Sequence, residues 1–359
     1  MRILLLSPEL FLAEGGIARI IRVYLKALCE ICGPDGRVDS LVLNDQLGSD
    51  RRLERYSNQH LNRHVACTGS KARFLTQAIK LGRQSDILIC GHLHHLPIAR
   101  LAQLFNPRLR YSLVAHGIEV WRPYNALERR ALLGTHRILC VSEFTRRQLF
   151  RFLPTLNLAK VVVVPNALDP YFARNSNPPF AGSLFAAPRI LTVSRLTQAD
   201  NYKGVDTLIE ALPRIRQEYP LARLRVVGQG DDLPRLQALA ATLGMAKAVD
   251  FTGSVDDETL RAEYETCDLF ALPSRKEGFG LVYLEAMANG KACIGARAGG
   301  APEVIDAAVG QLVDYGNISD LAAAVIELTR HPRDSGIVRQ RAAAFAFPVF
   351  QQRLAAALN

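Results

Sequence analysis

The stretch RILTVSRLTQADNYKGVDTLIEAL, residues 189–212, decides the fold class. After Arg189 it runs as a short, uncharged, β-rich strand, turns through polar residues, and closes on a helix-period segment over 205–212. An apolar strand that is continuous rather than alternating belongs to a sheet covered on both faces. The turn places Arg195 beside the strand end at Ser194 and Lys203 just before the helix, where Gly204 and Asp206 mark a helix start. Two cations at one strand-to-helix crossover suit a diphosphate, which Arg grips with paired bonds while Lys acts as a point charge. Taken alone, the same residues are also compatible with ordinary surface cations on a solvated loop.

The rhythm recurs along the chain. Strand candidates in the first half are RILLLS (2–7), DSLVLN (39–44), DILICG (86–91), RYSLVAH (110–116), RILCVS (137–142) and KVVVVPN (160–166). In the second they are RILTVS (189–194), RLRVVG (223–228), VDFTGS (249–254), DLFALPS (268–274) and KACIGA (291–296). Short buried strands alternating with helices predict parallel sheets. The proline- and glycine-rich ARNSNPPFAGSLFAAP (173–188) reads as a linker, and 359 residues suit two domains. The expected division is 1–172 and 173–344. No repeat of 20–50 residues is evident, so the likeness between halves is architectural.

Composition is that of a globular protein, 49% hydrophobic and 22% charged. No apolar run reaches the roughly 20 residues of a spanning helix. MRILLLSPEL stays apolar only to Leu6, too short for a signal peptide, which predicts a cytoplasmic location. The seven cysteines lie mostly in apolar segments and read as small buried hydrophobes. Cys29 and Cys32 form a C-x-x-C without a second pair, which speaks against zinc. Residues 1–175 hold 25 Lys+Arg against 13 Asp+Glu, whereas 176–359 hold 19 against 21. The whole surplus of +10 thus belongs to the first half, which fits an anionic partner there: nucleic acid, an acidic membrane surface or a phosphorylated substrate.

A second strand–turn–helix unit, KEGFGLVYLEAMANGKACIGARAGGAPEVI (276–305), sets Glu277 and Glu285 eight residues apart. Gly278 and Gly280 permit close backbone approach, the helix is expected over 281–289, and Gly290 stops it. Glu277 therefore lies in the loop and Glu285 in the first turns. The amides of Phe279, Gly280 and Leu281 would form an anion site favoured by the helix dipole. Carboxylates on either side of such a site accept from hydroxyls carried at either end of a phosphate-linked ligand.

With the SRL…YKG…LIEAL block upstream, EGFGLVYLE resembles the E-x7-E block of the retaining nucleotide-sugar glycosyltransferases of family 4. The resemblance runs through EGGIAR (14–19), HGIE (116–119), VSEFT (141–145), VPNALD (164–169) and VVGQGDD (226–232). Each match is short, but their order and spacing are specific. The resemblance implies the GT-B fold: α/β, two doubly wound Rossmann-like domains facing across a cleft. The first would bind acceptor and the second the nucleotide sugar, with the final helix (345–359) packing back on the first. Arg195 and Lys203 would hold the donor diphosphate, Glu277 the hydroxyls of the transferred sugar, and Glu285 the ribose. Gly15 and Gly16 would form a loop approaching donor phosphate and acceptor, and His116 would lie beside the reacting centre. Gly228, Gly230 and the region Phe251, Ser254 and Val255 would flank the base; Asn166 reads as structural.

Read from the residues alone, Glu14-Gly15-Gly16 could be a turn, and His116 before Gly117 a structural histidine. His92, His94 and His95 in CGHLHHL suggest a metal, but neighbours in a short loop rarely converge on one ion. They are assigned, with Arg19 and Glu119, to the acceptor side. No Asp-x-Asp occurs, so no catalytic metal or other cofactor is expected, and fixed cations and amides would neutralise the leaving group. GQGDDL (228–233) lacks the third glycine of a dinucleotide motif.

The implied reaction moves a hexose, with retention, from a donor of UDP-glucose or GDP-mannose type. The acceptor would be a glycan or a polyprenyl-diphosphate- or otherwise lipid-linked sugar in polysaccharide or glycolipid synthesis. Alternatives are a phosphorylase- or epimerase-like GT-B enzyme and a non-catalytic nucleotide-sugar binder. Nucleic acid is not expected, since no stacking platform is visible. ARIIRVYLKAL (18–28) and KARFLTQAIKLGRQ (71–84) mix basic and apolar residues at helix spacing. Either could lie on an anionic bilayer at the inner face of the cell membrane, or pack on a core with a solvated basic face.

Overall fold

The computed structural model describes residues 1–12, 15–46, 50–173 and 188–358. Two parallel sheets carry the chain. The first contains β1 (Arg2–Ser7), β2 (Arg37–Val42), β3 (Leu61–Ala66), β4 (Ile87–Cys90), β5 (Arg110–Ala115), β6 (Arg137–Cys140) and β7 (Val161–Val163). The second contains β8 (Arg189–Val193), β9 (Arg223–Val227), β10 (Val249–Gly253), β11 (Leu269–Leu272), β12 (Ala292–Ala296) and β13 (Gly310–Val313). Their spatial orders are β3-β2-β1-β4-β5-β6-β7 and β10-β9-β8-β11-β12-β13. In each sheet the order reverses beside the first strand, between β1 and β4 and between β8 and β11. Crossovers on the two sides of that point leave in opposite directions, so the carboxyl ends of the strands open into a crevice there.

The helices of the first sheet are α1 (Gly16–Ile31), α2 (Lys71–Gly82), α3 (Leu96–Phe105), α4 (Ala126–Leu133) and α5 (Glu143–Phe152). Those of the second are α6 (Val205–Glu218), α7 (Leu233–Thr242), α8 (Asp257–Thr266), α9 (Leu281–Ala288), α10 (Ala301–Val304), α11 (Ile318–Arg330) and α12 (Ser335–Ala343). The last, α13 (Phe347–Leu358), returns to the first compact unit, which otherwise comprises residues 1–169; the second unit is 170–346. Most of the linker proposed at 173–188 lies outside the described residues. Each sheet has its own core, Leu4, Leu6, Leu88, Leu113 and Ile138 in one and Ile190, Leu224, Val226, Ala271 and Ile294 in the other.

Two strands escaped the sequence reading, β3 and β13, and both are edges. β3 (LNRHVA) carries polar residues because much of it faces solvent, and β13 is four residues opening on a glycine. All seven cysteines are buried and free. Burial pushes the Cys29 thiol up to about 12 and raises Cys32 as well, so the C-x-x-C is no nucleophile.

The two amphipathic segments do not offer apolar faces to a bilayer. α1 buries Ile20, Ile21, Val23, Tyr24, Leu25 and Leu28. α2 keeps Phe74, Ala78 and Leu81 in the core and exposes Lys71, Arg73 and Lys80. What remains for an anionic surface is charge alone. Among the described residues no helix is long and apolar enough to cross a membrane.

α13 is held on α1 by the edge-on packing of Tyr24 and Phe350, centroids 4.9 Å apart, and by Gln351 Nε2 donating to Glu30 Oε2 at 2.9 Å. Phe350 is 1% exposed, so Phe350→Ala should cost the first unit about 3–5 kcal/mol. Scanning calorimetry should show the loss in the transition reported by first-unit amides and leave the second unit's exchange protection unchanged.

Candidate functional site

Beyond β8 and β11, at the reversal of the second sheet, the Lys203 ammonium donates to Glu277 Oε2 at 2.7 Å. Both side chains are largely enclosed, 18% and 15% exposed. Arg195 Nη2 donates to Asp200 Oδ1 at 3.1 Å. Asp200, itself buried, also accepts from Thr197 Oγ1 at 2.8 Å and the Tyr202 hydroxyl at 2.7 Å. It thereby organises the turn that ends at Lys203, and the Arg275 amide donates to Tyr202 O at 2.9 Å, joining that turn to the loop after β11. Lys203 and Lys276 both lie near the Tyr202 ring, 5.6 and 5.3 Å from its centroid. Arg195, Lys203 and Glu277 are therefore brought together, each cation facing a carboxylate.

The loop after β9 contributes backbone rather than side chains. A Cβ on Gly228 would stand 1.8 Å from Ser194 O, and one on Gly230 would stand 2.2 Å from Leu196 O. These glycines let the loop lie against the segment that carries Arg195, which is a packing reason for them independent of any base. The turn after β12 was not singled out in the sequence, yet the Gly300 amide donates to Glu277 O at 2.7 Å. It braces the Glu277 loop from behind. α9 then starts at Leu281 with no side-chain cap hydrogen bond and no acid in its first turn, so no internal anion sits at its start. Phe279 packs edge-on against Phe345, leaving only its backbone for an anion there.

Glu285 is 2% exposed on α9, and its Oε2 accepts from the Tyr264 hydroxyl of α8 at 2.7 Å. Phe251 and Val255 line a separate groove of about 740 Å³ with Arg225, Gln237 and Glu263, while Ser254 is exposed.

In the first unit His116 ends β5. Its Nε2 lies 2.9 Å from Gly91 O and must donate there, leaving Nδ1 as an acceptor. Burial lowers its pKa to about 4. Glu119 Oε1 accepts from the amides of His116 at 2.5 Å and Gly117 at 3.2 Å, fixing the turn, and burial raises its carboxyl pKa. His92 is lowered by burial, with Glu119 opposing. Of the three neighbouring histidines, His92 and His94 lie edge-on, ring centroids 4.6 Å apart, and His95 departs from them. His92 accepts from the His94 amide at 3.2 Å, His94 is exposed, and His95 turns inward onto Phe74, ring centroids 4.7 Å apart. His95 is thus a core residue, not a lining of an accessible surface, because an imidazole flanked by Leu93 and Leu96 follows them inside. Among the described residues no group of three or more His, Cys, Asp or Glu is placed to hold a metal ion. Gly15 and Gly16 open α1, where the Arg19 amide donates to Gly15 O, and Glu14 lies outside the described residues.

A model of the glycosyl transferases group 1 matches residues 187–331, and a model of Glycosyltransferase Family 4 matches residues 38–172. Together they take in well over half of the chain. The chain belongs to glycosyltransferase family 4.

Among curated relatives of this family-4 chain, a GDP-mannose-dependent alpha-(1-6)-phosphatidylinositol monomannoside mannosyltransferase of Mycolicibacterium smegmatis is 40% identical over 154 residues. That match covers 41% of this chain and 40% of the relative. The gpi3 subunit of a phosphatidylinositol N-acetylglucosaminyltransferase from Schizosaccharomyces pombe is 30% identical over 181 residues, 50% of this chain and 38% of that one. The chain spans about 40% of the length of the curated relatives it matches. Among solved structures, Anabaena HepE with UDP and glucose superposes at a TM-score of 0.77 with 20% identity, over 100% of this chain and 99% of that one. Sucrose-phosphate synthase from Thermosynechococcus elongatus gives 0.79 with 21% identity, over 99% and 98%. At such identities the likeness is one of fold, and the fold is GT-B.

The depressed histidines make stability depend on pH. His116 and His95, ordinarily near 6.5, fall to about 4 and about 3 by burial. The unfolded chain therefore takes up these protons first, so their contribution is present above pH 6.5 and is lost as pH falls toward 4. Urea unfolding of the His95→Phe variant should show a slope of stability against pH between 6 and 4 that is shallower by about 1.4 kcal/mol per pH unit.

Proposed function

We propose that the chain is a retaining hexosyltransferase that takes its sugar from a nucleoside diphosphate and passes it to a glycan or lipid-linked acceptor. The observation that carries this reading is the enclosed Lys203–Glu277 pair before α9, with the exposed Arg195 held by Asp200 on the turn that leads to Lys203. In the proposed complex the diphosphate displaces the carboxylates from both cations. Lys203 and Arg195 then hold its oxygens, the amides at the start of α9 share the developing charge, and Glu277 turns to the sugar hydroxyls. Fixed cations at the leaving group support metal-independent chemistry. No carboxylate is assigned as a nucleophile, because Glu277, committed to hydroxyls, need not move a proton.

GDP-mannose is the donor this reading favours, since several of the relatives are GDP-mannose-dependent by name. Glu285, buried on α9 with its Oε2 on the Tyr264 hydroxyl, is proposed to meet the ribose only where the ligand comes down onto α9, and Gly228, Gly230, Phe251, Ser254 and Val255 are proposed to border the base. In the first unit Gly15, Gly16 and His116, with Arg19, His92, His94 and Glu119, are proposed to serve the acceptor and the reacting centre. His116, neutral above pH 4, would accept a hydroxyl proton bond through Nδ1. A lipid-linked acceptor fits the names of the mannosyltransferase relatives, and the exposed Lys71, Arg73 and Lys80 would supply electrostatic contact with an anionic membrane at the cytoplasmic face.

A thermal-shift panel of GDP-, UDP- and ADP-sugars should raise the melting midpoint with GDP-mannose most. Lys203→Met should abolish that shift, and transfer or slow donor hydrolysis should be seen with the same donor. Binding without either reaction would indicate a sensor, and turnover dependent on phosphate alone a phosphorylase-like enzyme.

The 2.7 Å pairing of Lys203 with Glu277 sets the carboxylate in competition with any anion for the ammonium. Glu277→Gln removes the carboxylate that competes for Lys203. Calorimetric titration should find the bare nucleoside diphosphate bound about 5- to 10-fold tighter, about 1–1.4 kcal/mol, while sugar transfer falls at least about 100-fold. Weaker binding of the bare diphosphate would contradict the competition.

A further inference from the structure

We propose that Tyr202 is a positioning residue for the diphosphate: its hydroxyl holds Asp200 so that Arg195 can leave that carboxylate for the ligand. The inference rests on the reading of Arg195 and Lys203 as diphosphate ligands.

Asp200 is 7% exposed and lies on the turn between β8 and α6. Its two oxygens carry different loads. Oδ2 accepts from Thr197 Oγ1 at 2.8 Å, whereas Oδ1 accepts from both the Tyr202 hydroxyl at 2.7 Å and Arg195 Nη2 at 3.1 Å. Tyrosine and guanidinium thus meet at one oxygen, and the hydroxyl makes the shorter bond. Burial, and then the Asp200 carboxylate, raise the Tyr202 phenol above its ordinary value, so the hydroxyl keeps its proton and donates. The two partners differ in freedom. The Arg195 side chain is 65% exposed, while Tyr202 is 8% exposed.

The rest of Tyr202 is pinned independently of that bond. Its carbonyl accepts from the Arg275 amide at 2.9 Å. Nearby, Gly204 at φ 74° lies so close to the end of β11 that a Cβ would stand 2.8 Å from Pro273 O. The main chain of 202–204 is therefore laid on 273–275, and the hydroxyl reaches Asp200 from a fixed base.

A diphosphate can take Arg195 from its present partner only if Asp200 gives it up. A buried carboxylate that loses its cation must keep other donors. With Tyr202 and Thr197 in place two neutral hydroxyls remain, one on each oxygen. Without the Tyr202 hydroxyl, Arg195 would be the side-chain donor left to Oδ1, and the carboxylate would hold the guanidinium against the ligand. Tyr202 therefore acts on the diphosphate through Asp200 and Arg195, whereas Lys203 answers to Glu277.

The test is Tyr202→Phe in the full chain, which keeps the ring and removes the hydroxyl. Calorimetric titration with GDP and with UDP reads the affinity, alone and in an Arg195→Met background, with the melting midpoint as the check of folding. The expected result is a bare nucleoside diphosphate bound about 5- to 10-fold more weakly, the loss shrinking to less than about twofold once Arg195 is replaced. An equal loss in both backgrounds would make Tyr202 merely structural and overturn the proposal. An affinity unchanged by Tyr202→Phe would overturn it too, since Arg195 would then serve the ligand without help from the hydroxyl. If the Phe variant does not fold, Thr197→Val, which strips Oδ2 of its hydroxyl, must show the same loss and the same dependence on Arg195. Failure of the underlying reading looks different. Neither nucleotide would then bind the unsubstituted protein, and the positioning claim would fall with that reading. A protein that binds the diphosphate, responds to Tyr202→Phe and transfers no sugar would lose the transferase reading and keep this one.

Discussion

Everything in this molecule depends on strands that must be covered on both faces. A parallel strand returns to its starting end only through a crossover, and helices supply it, so each sheet is sealed above and below. The strand ends are then the only places where backbone can open outward. Because each order reverses beside β1 or β8, neighbouring crossovers part there and leave room. Lys203 and Glu277 are not near each other in sequence. They meet because β8 and β11 are neighbours in the second sheet.

That juxtaposition would be unstable with one sign of charge. Lys203 is largely enclosed and would lose hydration, and the more exposed Arg195 adds a second positive charge on the segment leading to it. The structure answers with Glu277 for the first and Asp200 for the second. In the proposed complex, exchange of carboxylate for diphosphate would replace one charge-assisted bond by another at little net desolvation. Selectivity would then come from the displaced carboxylate, since Glu277 would need new donors and hydroxyls of a sugar attached to the diphosphate would provide them.

Much of this was legible in the sequence. Continuous apolar runs located eleven of the strands, because burial on both faces leaves no polar side to blur the pattern. β3 and β13 were missed for the reason that makes them edges. The cluster of Arg195, Lys203 and Glu277 was visible as cations and glycines at strand ends. Asp200 and Gly300 were not, since the first looks like any turn aspartate and the second acts through a backbone amide. The inward turns of His95 and Glu285 were equally hidden. A side chain's direction on a helix or short turn depends on its neighbours from other elements, Phe74 for the one and Tyr264 for the other.

The glycines separate two constraints that a sequence cannot distinguish. At Gly228 and Gly230 the missing side chain is replaced by protein: the backbone at Ser194 and Leu196 already fills the space. Substitution there would push Arg195 away before any ligand was considered. At Gly15 and Gly16 no described atom would meet a Cβ, and the conformation of Gly15 is permissive. In the proposed reading these two glycines would leave room for a ligand at the edge where the first sheet reverses its order. The same residue type fixes the cation-bearing turn in the second sheet and carries no packing constraint from the described residues in the first, and only the surrounding atoms tell which.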